Sequence, residues 1–210
     1  MASSASAQPT MTTEQQSWIF QQFNGTTYVP NSMDVQHEPL YDENTFAAGA
    51  TIPNQSQFFT SPAGKTLAQT NVTSPKKLDA PEAFTVMGIN WKVRENILLA
   101  DFITLIDGAT GFCSEFWIGQ KSYNRGPLWF YVTGGGITGI DIQSGASALT
   151  NGRTGKNDRH TLAINIVVDN QASFYGQLTG TAVVLTASGS GGTGAGLMML
   201  LDGLHARGVQ

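Results

Sequence analysis

From residue 83 onward, apolar and polar positions alternate in short runs that are separated by turn residues. In AFTVMGINWKV the residues Met87, Ile89, Trp91 and Val93 fall on one face, which is the pattern of a half-buried strand. Similar runs follow at SEFWIGQKS, PLWFYVT, ITGIDIQ, TLAINIVV, ASFYGQLTG, TAVVLTA and LMMLLDGLHARGVQ, with turns expected at 124–126 and 169–170. Many short strands at this spacing predict an antiparallel sandwich or barrel, and no linker divides residues 83–210.

One segment of this region breaks the alternation. Leu98, Phe102, Leu105 and Ile106 have helical spacing, and Gly108 stands where a helix would end. The pattern therefore predicts a single short helix over residues 96–107, inserted between strands.

The first 82 residues have a different texture. Six of the eight prolines lie between residues 24 and 81, where we expect an extended segment with one or two short strands. Before it, the capping pattern and apolar face of TTEQQSWIFQQF predict a short amphipathic helix near 12–23. So long a stretch without regular structure usually serves a function or wraps a neighbour. We therefore divide the chain into an N-terminal arm, residues 1–82, and a sandwich domain, residues 83–210.

The arm carries aromatic and aliphatic side chains that need a partner surface. A helix shorter than about 12 residues is marginal in water, so its apolar face must pack either on the parent domain or on a neighbouring subunit. For the second case, the candidate inter-subunit contacts are Trp18, Ile19, Phe20, Phe23, Phe58 and Phe59.

Charged residues are scarce: they make up 12% of the chain, against about 25% in a typical soluble domain. Surfaces that become subunit interfaces are depleted of Lys, Glu and Asp, so an assembly explains the deficit. A glycine-rich monomer with a surface of Ser, Thr, Asn and Gln is the alternative. No stretch is apolar for the ~18 to 20 residues of a membrane span, and the start lacks the features of a signal peptide.

The distribution of charge argues against direct binding of nucleic acid. The formal net charge is −4, and residues 1–64 hold five acidic residues and no Lys or Arg. Such an arm cannot neutralise phosphates, and the 11 basic residues that follow form no stripe.

Glycines at 189, 191 and 194 match the G-x-G-x-x-G pattern of dinucleotide-binding turns. That site needs a following helix and crossover with an acidic residue about 20 positions later, and only 16 residues follow Gly194. A second match at 134, 136 and 139 is followed by strand and turn residues. Both patterns are predicted to be loop glycines, and no cofactor is expected.

Catalytic and metal-binding patterns are not evident either. The histidines His37, His160 and His205 have no metal-ligand spacing, and the single cysteine, Cys113, is expected to be a buried, inert thiol. Three carboxylates that could pair as acid and base are better explained as capping or solvated groups: Asp101, Asp107 and Glu115. Four aromatics that could form a stacking platform are more often core or interface residues: Trp91, Trp117, Trp129 and Tyr131. We predict no metal site and no enzymatic activity.

The order of these elements resembles a known family. TFAAGATIPNQSQFFTSPAG, TNVTSPKKLDAPEAFTVMGI, EFWIGQKSYNRGPLWFYVTGGG, QASFYGQLTG and LDGLHARGVQ follow one another, and two patterns carry most of the likeness: I-G-x-K-x-Y-x-x-G-P and L-D-G-x-x-x-R-x-V-Q. Over about residues 40–210 the chain resembles the single-jelly-roll major capsid proteins of tailless icosahedral bacteriophages and related viruses.

The resemblance implies an eight-stranded antiparallel jelly roll, an all-β fold with one inserted helix, that forms oligomeric capsomers of an icosahedral shell. It implies a structural protein of the virion, synthesised in the host cytoplasm, whose partners are copies of itself and other capsid proteins. Many such phages enclose a membrane, which would be a further partner. The alternative is a carbohydrate-binding β-sandwich, lectin-like or at a fibre or spike tip. A hydrolase on a cupin-like jelly roll is the weakest alternative, because the histidines are dispersed.

Overall fold

The structure is a computed structural model that describes residues 33–93, 97–107, 109–131 and 161–208. Within these ranges the chain forms eleven strands, one α-helix and two short 3-10 turns. The strands are β1 Met33–His37, β2 Leu40–Phe46, β3 Thr51–Ile52, β4 Gln55–Phe58, β5 Ala83–Val93, β6 Cys113–Ile118, β7 Lys121–Pro127, β8 Thr161–Val168, β9 Phe174–Thr179, β10 Val183–Val184 and β11 Ala195–Gly208. The helix α1 spans Leu99–Ile106, and the 3-10 turns span Leu128–Tyr131 and Ser188–Ser190.

The larger sheet is organised around β11. Along one edge, β11 pairs first with β2 and then, toward its C-terminal end, with β1. Its other edge pairs with β5, which in turn pairs with β8. All of these pairs are antiparallel. The register of β11 with β5 shifts at Asp202/Gly203, and that of β5 with β8 shifts between Val86 and Gly88. The second shift places Met87 at an irregularity, whereas Ile89, Trp91 and Val93 are buried on one face as the alternation predicts.

The second sheet has four antiparallel strands in the order β4, β9, β6, β7, and β3 pairs separately with β10. Trp91 of β5 reaches across to this sheet, where its indole N–H donates a hydrogen bond of 2.7 Å to Ser114 Oγ of β6. Its ring meets Phe58 of β4 edge to face, with ring centroids 4.7 Å apart. The hydrophobic core therefore lies between two facing antiparallel sheets, which confirms the predicted all-β sandwich.

The position of the first strands differs from the sequence prediction. We expected one or two short strands between residues 24 and 81, but β1 to β4 all lie there, and β2 and β4 pair with β11 and β9 of the two main sheets. The part of the expected arm from residue 33 onward is therefore built into the sandwich rather than outside it. The predicted helix near 12–23 lies outside the described residues.

The hairpin after β6 also differs from the prediction. The expected turn at 124–126 is part of β7, and the chain reverses instead at residues 119–120, where Gly119 has a φ of +60°. Gly126 is needed for close packing, because a Cβ there would lie 2.7 Å from the hydroxyl oxygen of Tyr131. In the expected strand PLWFYVT, Pro127 ends β7 and Leu128–Tyr131 form a 3-10 turn.

The predicted helix is confirmed, with its regular part at Leu99–Ile106. Phe102 and Leu105 bury its inner face in the core. In the part of the chain that the structure describes, no helix has the length and apolar character needed to cross a membrane.

Candidate functional site

The helix α1 is fixed to one end of the sandwich by a buried carboxylate. Asp101 accepts a hydrogen bond of 2.8 Å from Thr186 Oγ1 and bonds of 3.2 Å from the Thr186 backbone N–H, which lies just after β10. At the other end of the helix, Asp107 accepts hydrogen bonds from the N–H and hydroxyl of Thr110. Both carboxylates therefore hold turns in place, as capping residues do.

Exposed apolar side chains lie on this helix and on two elements that pack against it. The 3-10 turn Leu128–Tyr131 and strand β10 both pack against α1. The exposed fractions are 52% for Ile103 on the helix, 54% for Trp129 and 49% for Phe130 on the 3-10 turn, and 69% for Val184 on β10. We call these four residues the helix-end patch. Single exposed apolar residues are ordinary, but a group of them on contacting elements is typical of an interaction surface.

Two of the three segments that carry the helix-end patch, the 3-10 turn and β10, are free of charged residues. The 3-10 turn contains no charged residue, and residues 170–201, which include β10 and the turn after it, contain no Asp, Glu, Lys, Arg or His. The helix itself contains one charged residue, Asp101, which is buried. The centres of protein interfaces show the same depletion of charge, so the patch has the composition of a contact surface between proteins.

Only part of this patch is predicted from the sequence. Trp129 is one of the four aromatics that could form a stacking platform, whereas Ile103 and Val184 are not among the predicted functional residues. A signal for Ile103 exists in the sequence, because it is apolar but lies off the helix face formed by Leu98, Phe102 and Leu105.

The expected inter-subunit contacts divide into two groups. Phe58 and Phe59 are buried within the chain, where they contact Trp91 and Phe174 respectively. Side chains without exposed area cannot contact a second subunit, so both are core residues. The other four, Trp18, Ile19, Phe20 and Phe23, lie outside the described residues and stay a prediction.

The outer face of the four-stranded sheet carries a carboxylate whose two oxygens both accept hydrogen bonds. Glu115 lies 2.5 Å from an Arg125 guanidinium nitrogen, accepts a second bond of 2.7 Å from Arg125 Nε, and accepts one of 2.8 Å from the Trp117 indole N–H. Gln177 Nε2 donates at 3.4 Å to Oε2, the oxygen that also accepts the bond from Trp117. Because every oxygen of Glu115 has a donor, its role is to join three strands of the sheet.

Aromatic rings on the same face stack on one another. Trp117 and Tyr175 sit opposite each other on β6 and β9, with parallel planes and ring centroids 6.1 Å apart, and the Lys76 ammonium lies 5.1 Å from the Tyr175 ring centroid. The faces of these two rings therefore make contacts within the chain itself. Of the other aromatics considered for a platform, Trp91 and Tyr131 are buried in the core, so the four rings do not form a common stacking surface.

The remaining titratable candidates are also separated. Burial raises the pKa of the Cys113 thiol, and the Glu115 carboxylate raises it further, which keeps the thiol protonated and inert. His37 lies 3.0 Å from Asp202, whereas His205 lies between Glu38 and Glu82, and His160 is outside the described residues. Among the residues placed by the structure, no group of three or more His, Cys, Asp or Glu side chains could hold a metal ion.

The glycine-rich segment is a turn before the last strand, as predicted. The 3-10 turn Ser188–Ser190 ends at Gly191, and β11 begins at Ala195. Gly194 has a φ of +82°, and a Cβ there would lie 2.4 Å from the Phe46 carbonyl oxygen. The backbone of the turn therefore requires glycine at position 194. The second glycine pattern, at 134–139, lies outside the described residues.

A strand after this turn leaves no helix N-terminus to hold a pyrophosphate, so nucleotides should not stabilise the protein. A ligand present at 100 times its dissociation constant would add about 2.7 kcal/mol to the free energy of unfolding. We expect no change in melting temperature with ATP, GTP or NAD at millimolar concentration, measured by scanning fluorimetry. A saturable increase with any of the three would contradict this interpretation.

Comparison with known proteins gives no relative: no protein-family model, no curated protein and no solved structure matches the chain.

Proposed function

We propose that this protein is a structural virion protein: a major capsid protein with a jelly-roll fold, whose subunits assemble into oligomeric capsomers of an icosahedral shell. The observation that carries the proposal is the order of the strands in the two sheets. Its partners are copies of itself and other capsid proteins, and its location is the virion. A viral membrane beneath the shell is a further partner that the family resemblance implies.

The strand order supports the jelly roll as follows. Counted in chain order without β1, β3 and β10, the sandwich strands are β2, β4, β5, β6, β7, β8, β9 and β11. One sheet then has the order first, eighth, third, sixth, and the other has the order second, seventh, fourth, fifth. The first strand thus pairs with the last, the second with the last but one, and so on inward. A long hairpin that is rolled up on itself produces this pattern, which is the connectivity of a jelly roll.

Fold alone does not select a function, because jelly rolls occur in capsid proteins, lectins and cupins. Two further observations favour assembly. The helix-end patch presents Ile103, Trp129, Phe130 and Val184 as exposed apolar side chains on contacting elements. The chain as a whole has 12% charged residues, a composition suited to a subunit that is covered by neighbours.

The proposal also includes a non-enzymatic role without direct binding of nucleic acid. Asp101, Asp107 and Glu115 each hold local structure through hydrogen bonds, and the Cys113 thiol is held in its unreactive form. With a net charge of −4, the chain repels a polyphosphate rather than attracting it.

The experiment that tests the proposal is the solution mass of the purified protein, read beside electron micrographs for rings or shells. We expect a concentration-dependent assembly by sedimentation velocity. A protein that stays monomeric at every concentration and salt tested would contradict the proposed function.

The arm provides a sharper test. Removing residues 1–24, or replacing Trp18 and Phe23 by Ala, should leave the sandwich folded but weaken assembly, since a buried interface aromatic commonly contributes about 2 kcal/mol or more. Circular dichroism of the truncated protein controls for folding. Unchanged assembly at all concentrations would show that the arm does not join subunits.

A carbohydrate-binding sandwich is the second candidate, and a cleft whose lining includes several amide and hydroxyl side chains favours it. The cleft has a volume of ≈ 470 Å³ beside the edge strand β4, and its lining includes Asn44, Gln55, Gln57, Gln69 and Ser56. Ser56 Oγ is buried there without a hydrogen-bond partner. Amide and hydroxyl groups suit the hydroxyls of a sugar. Saturable binding of a monosaccharide by a monomeric protein, measured by calorimetry, would favour this candidate over the capsid subunit.

A further inference from the structure

The strand β4 is an edge strand, and it forms one wall of the cleft between β2 and β4. Gln55, Ser56 and Gln57 line this wall, while the end of β2 and the loop with Gly64 and Lys65 line the rest. In the smaller sheet β4 is the first strand of the order β4, β9, β6, β7, so β9 pairs with it along one edge. Among the described residues, its second edge is not paired with a strand.

The hydrogen-bond pattern shows which backbone groups of β4 point away from β9. In an antiparallel pair, residues whose N–H and C=O face the partner strand alternate with residues whose groups face away from it. The Gly180 N–H donates to the Asn54 carbonyl oxygen at 2.9 Å, directly before β4 begins. Every second residue from Asn54 onward therefore faces β9, whereas the backbone groups of Gln55 and Gln57 face away from it.

A contact with β2 confirms this direction. The Gln57 carbonyl oxygen accepts a hydrogen bond of 2.9 Å from Asn44 Nδ2, and Asn44 belongs to the opposite wall of the cleft. Within the described residues, the structure places no partner against the N–H and C=O of Gln55 or the N–H of Gln57. Two backbone donors and one backbone acceptor of β4 are thus left for a further strand.

Many of the polar side chains of the cleft are already engaged within the chain. Gln55 Nε2 and Gln57 Nε2 both donate to Gln177 Oε1, and Asn44 Oδ1 accepts from Lys65 Nζ. A small ligand is commonly oriented by a few polar groups of its site, whereas an added strand binds through the backbone of an edge strand. The free backbone groups therefore favour a polypeptide as the occupant over a sugar.

The charges of the cleft are also compensated within the chain. Lys65 Nζ lies 2.7 Å from Asp42 Oδ1, and the two side chains are 18% and 1% exposed. Glu43, the other charged residue of the lining, is buried. A charged group placed in the cleft would lose water without gaining a free counter-ion, which costs free energy. The cleft therefore suits an uncharged occupant.

A buried hydroxyl in the wall formed by β4 also lacks a partner. Ser56 is 7% exposed, and its Oγ makes no hydrogen bond with the described residues. A buried polar atom without a partner destabilises the fold. A carbonyl group of an occupant would supply the missing acceptor.

Two other sheet edges are protected in ways that β4 is not. The segment 69–71 covers the outer edge of β2 and forms backbone hydrogen bonds with it. The strand β7 carries exposed Lys121 and Arg125 and ends at Pro127. Charges and proline on an edge strand prevent further pairing. The sequence of β4, QSQF, has neither, and its register with β9 has no bulge.

We propose that the cleft is a docking site for an extended, uncharged segment of a partner polypeptide, which adds as a fifth strand to the free edge of β4. The segment accepts hydrogen bonds from the N–H groups of Gln55 and Gln57 and donates one to the Gln55 carbonyl oxygen. Strand addition of this kind draws its affinity from the main chain and its specificity from side chains that enter adjoining pockets. The site belongs to a single chain, so it exists whether or not subunits assemble.

A capped model peptide, acetyl-Thr-Gln-Thr-Gln-Thr-amide, tests the site by isothermal titration of the full-length protein. We expect saturable binding and slower hydrogen exchange of the Gln55 and Gln57 amides in the complex. The matched control is the same peptide with N-methyl groups on its three central residues, which keeps the side chains but cannot pair along either edge. It should bind by roughly tenfold or more weakly.

Two variants at one position separate the backbone from the side chain. Gln55→Pro removes the N–H that faces away from β9 and leaves the hydrogen bonds with β9 in place, which an edge strand tolerates. Gln55→Ala removes the side chain and keeps the N–H. We expect Gln55→Pro to bind the peptide roughly fivefold more weakly than Gln55→Ala, the share of one hydrogen bond. Circular dichroism shows whether both variants keep the fold.

The docking site is overturned if the unmethylated peptide does not bind up to tens of millimolar, or if both peptides bind equally. Equal affinity of Gln55→Pro and Gln55→Ala would overturn it as well. Saturable binding of a monosaccharide, with slower exchange of the same amides and no binding of the peptide, would assign the cleft to a sugar instead. If Gln55→Pro does not fold, the two peptides still decide the question on the unaltered protein.

Discussion

Replacing Phe58 by Ala should lower the free energy of unfolding by about 3–5 kcal/mol, the range for truncation of a buried phenylalanine. Phe58 has no exposed surface, and its ring contacts the ring of Trp91 from the opposite sheet. The substitution leaves a cavity at the point where the two sheets meet. For a chain of this length we expect the melting temperature to fall by roughly 10 °C.

Chemical denaturation at a concentration too low for assembly measures this effect on the single chain. Leu67→Ala is the matched control, because Leu67 has 76% of its surface exposed and should change stability by less than about 0.5 kcal/mol. A loss below about 1 kcal/mol for Phe58→Ala would mean that Phe58 is not a core residue. It would return Phe58 to the group of candidate inter-subunit contacts.

The different assignments of Phe58 show what alternation can and cannot reveal. In β5 the buried residues Ile89, Trp91 and Val93 repeat over eleven positions, and the sequence predicts that strand correctly. The strand of Phe58 has only four residues, QSQF, and lies among prolines. Its partner β9 lies about 120 residues away, and no local pattern records such a pairing.

The glycines predicted the local structure correctly where the backbone conformation requires glycine, and incorrectly where close packing requires it. The turn before β11 was predicted correctly, since its glycines follow one another without a helix after them. The sequence predicts a turn at Asn124, Arg125 and Gly126, yet these residues lie within β7. Gly126 makes room there for the Tyr131 hydroxyl. The close approach of two segments depends on the tertiary structure, so the local sequence predicted a turn at Gly126 incorrectly.

The candidate site was the part least accessible from the sequence. Trp91 and Trp129 both stand in apolar runs, but one fills the core and the other lies on the surface beside α1. Only the packing of the 3-10 turn and β10 against the helix places Trp129, Ile103 and Val184 on contacting elements. The low charge of the chain predicts a surface that is covered by neighbours, but it does not indicate where on the fold that surface lies.

Assembly should weaken when the helix-end patch is made polar. Replacing Ile103 and Trp129 by Ser removes two exposed apolar side chains on contacting elements, at 52% and 54% exposure. If the patch is buried between subunits, a loss of about 2 kcal/mol or more for the tryptophan raises the concentration needed for assembly by roughly thirtyfold. Each subunit of a closed shell repeats its contacts, so the weakening accumulates over the particle.

Sedimentation velocity over a range of concentrations measures this shift, and thermal unfolding of the dilute protein shows whether the fold is kept. Surface substitutions of this kind should change stability by less than about 0.5 kcal/mol, because neither side chain belongs to the core. Leu67→Ser is the control, since it removes an exposed apolar side chain outside the patch and should leave assembly unchanged. Equal assembly of the patch variant and the control would exclude the helix end as a subunit contact, while the test with residues 1–24 would still stand.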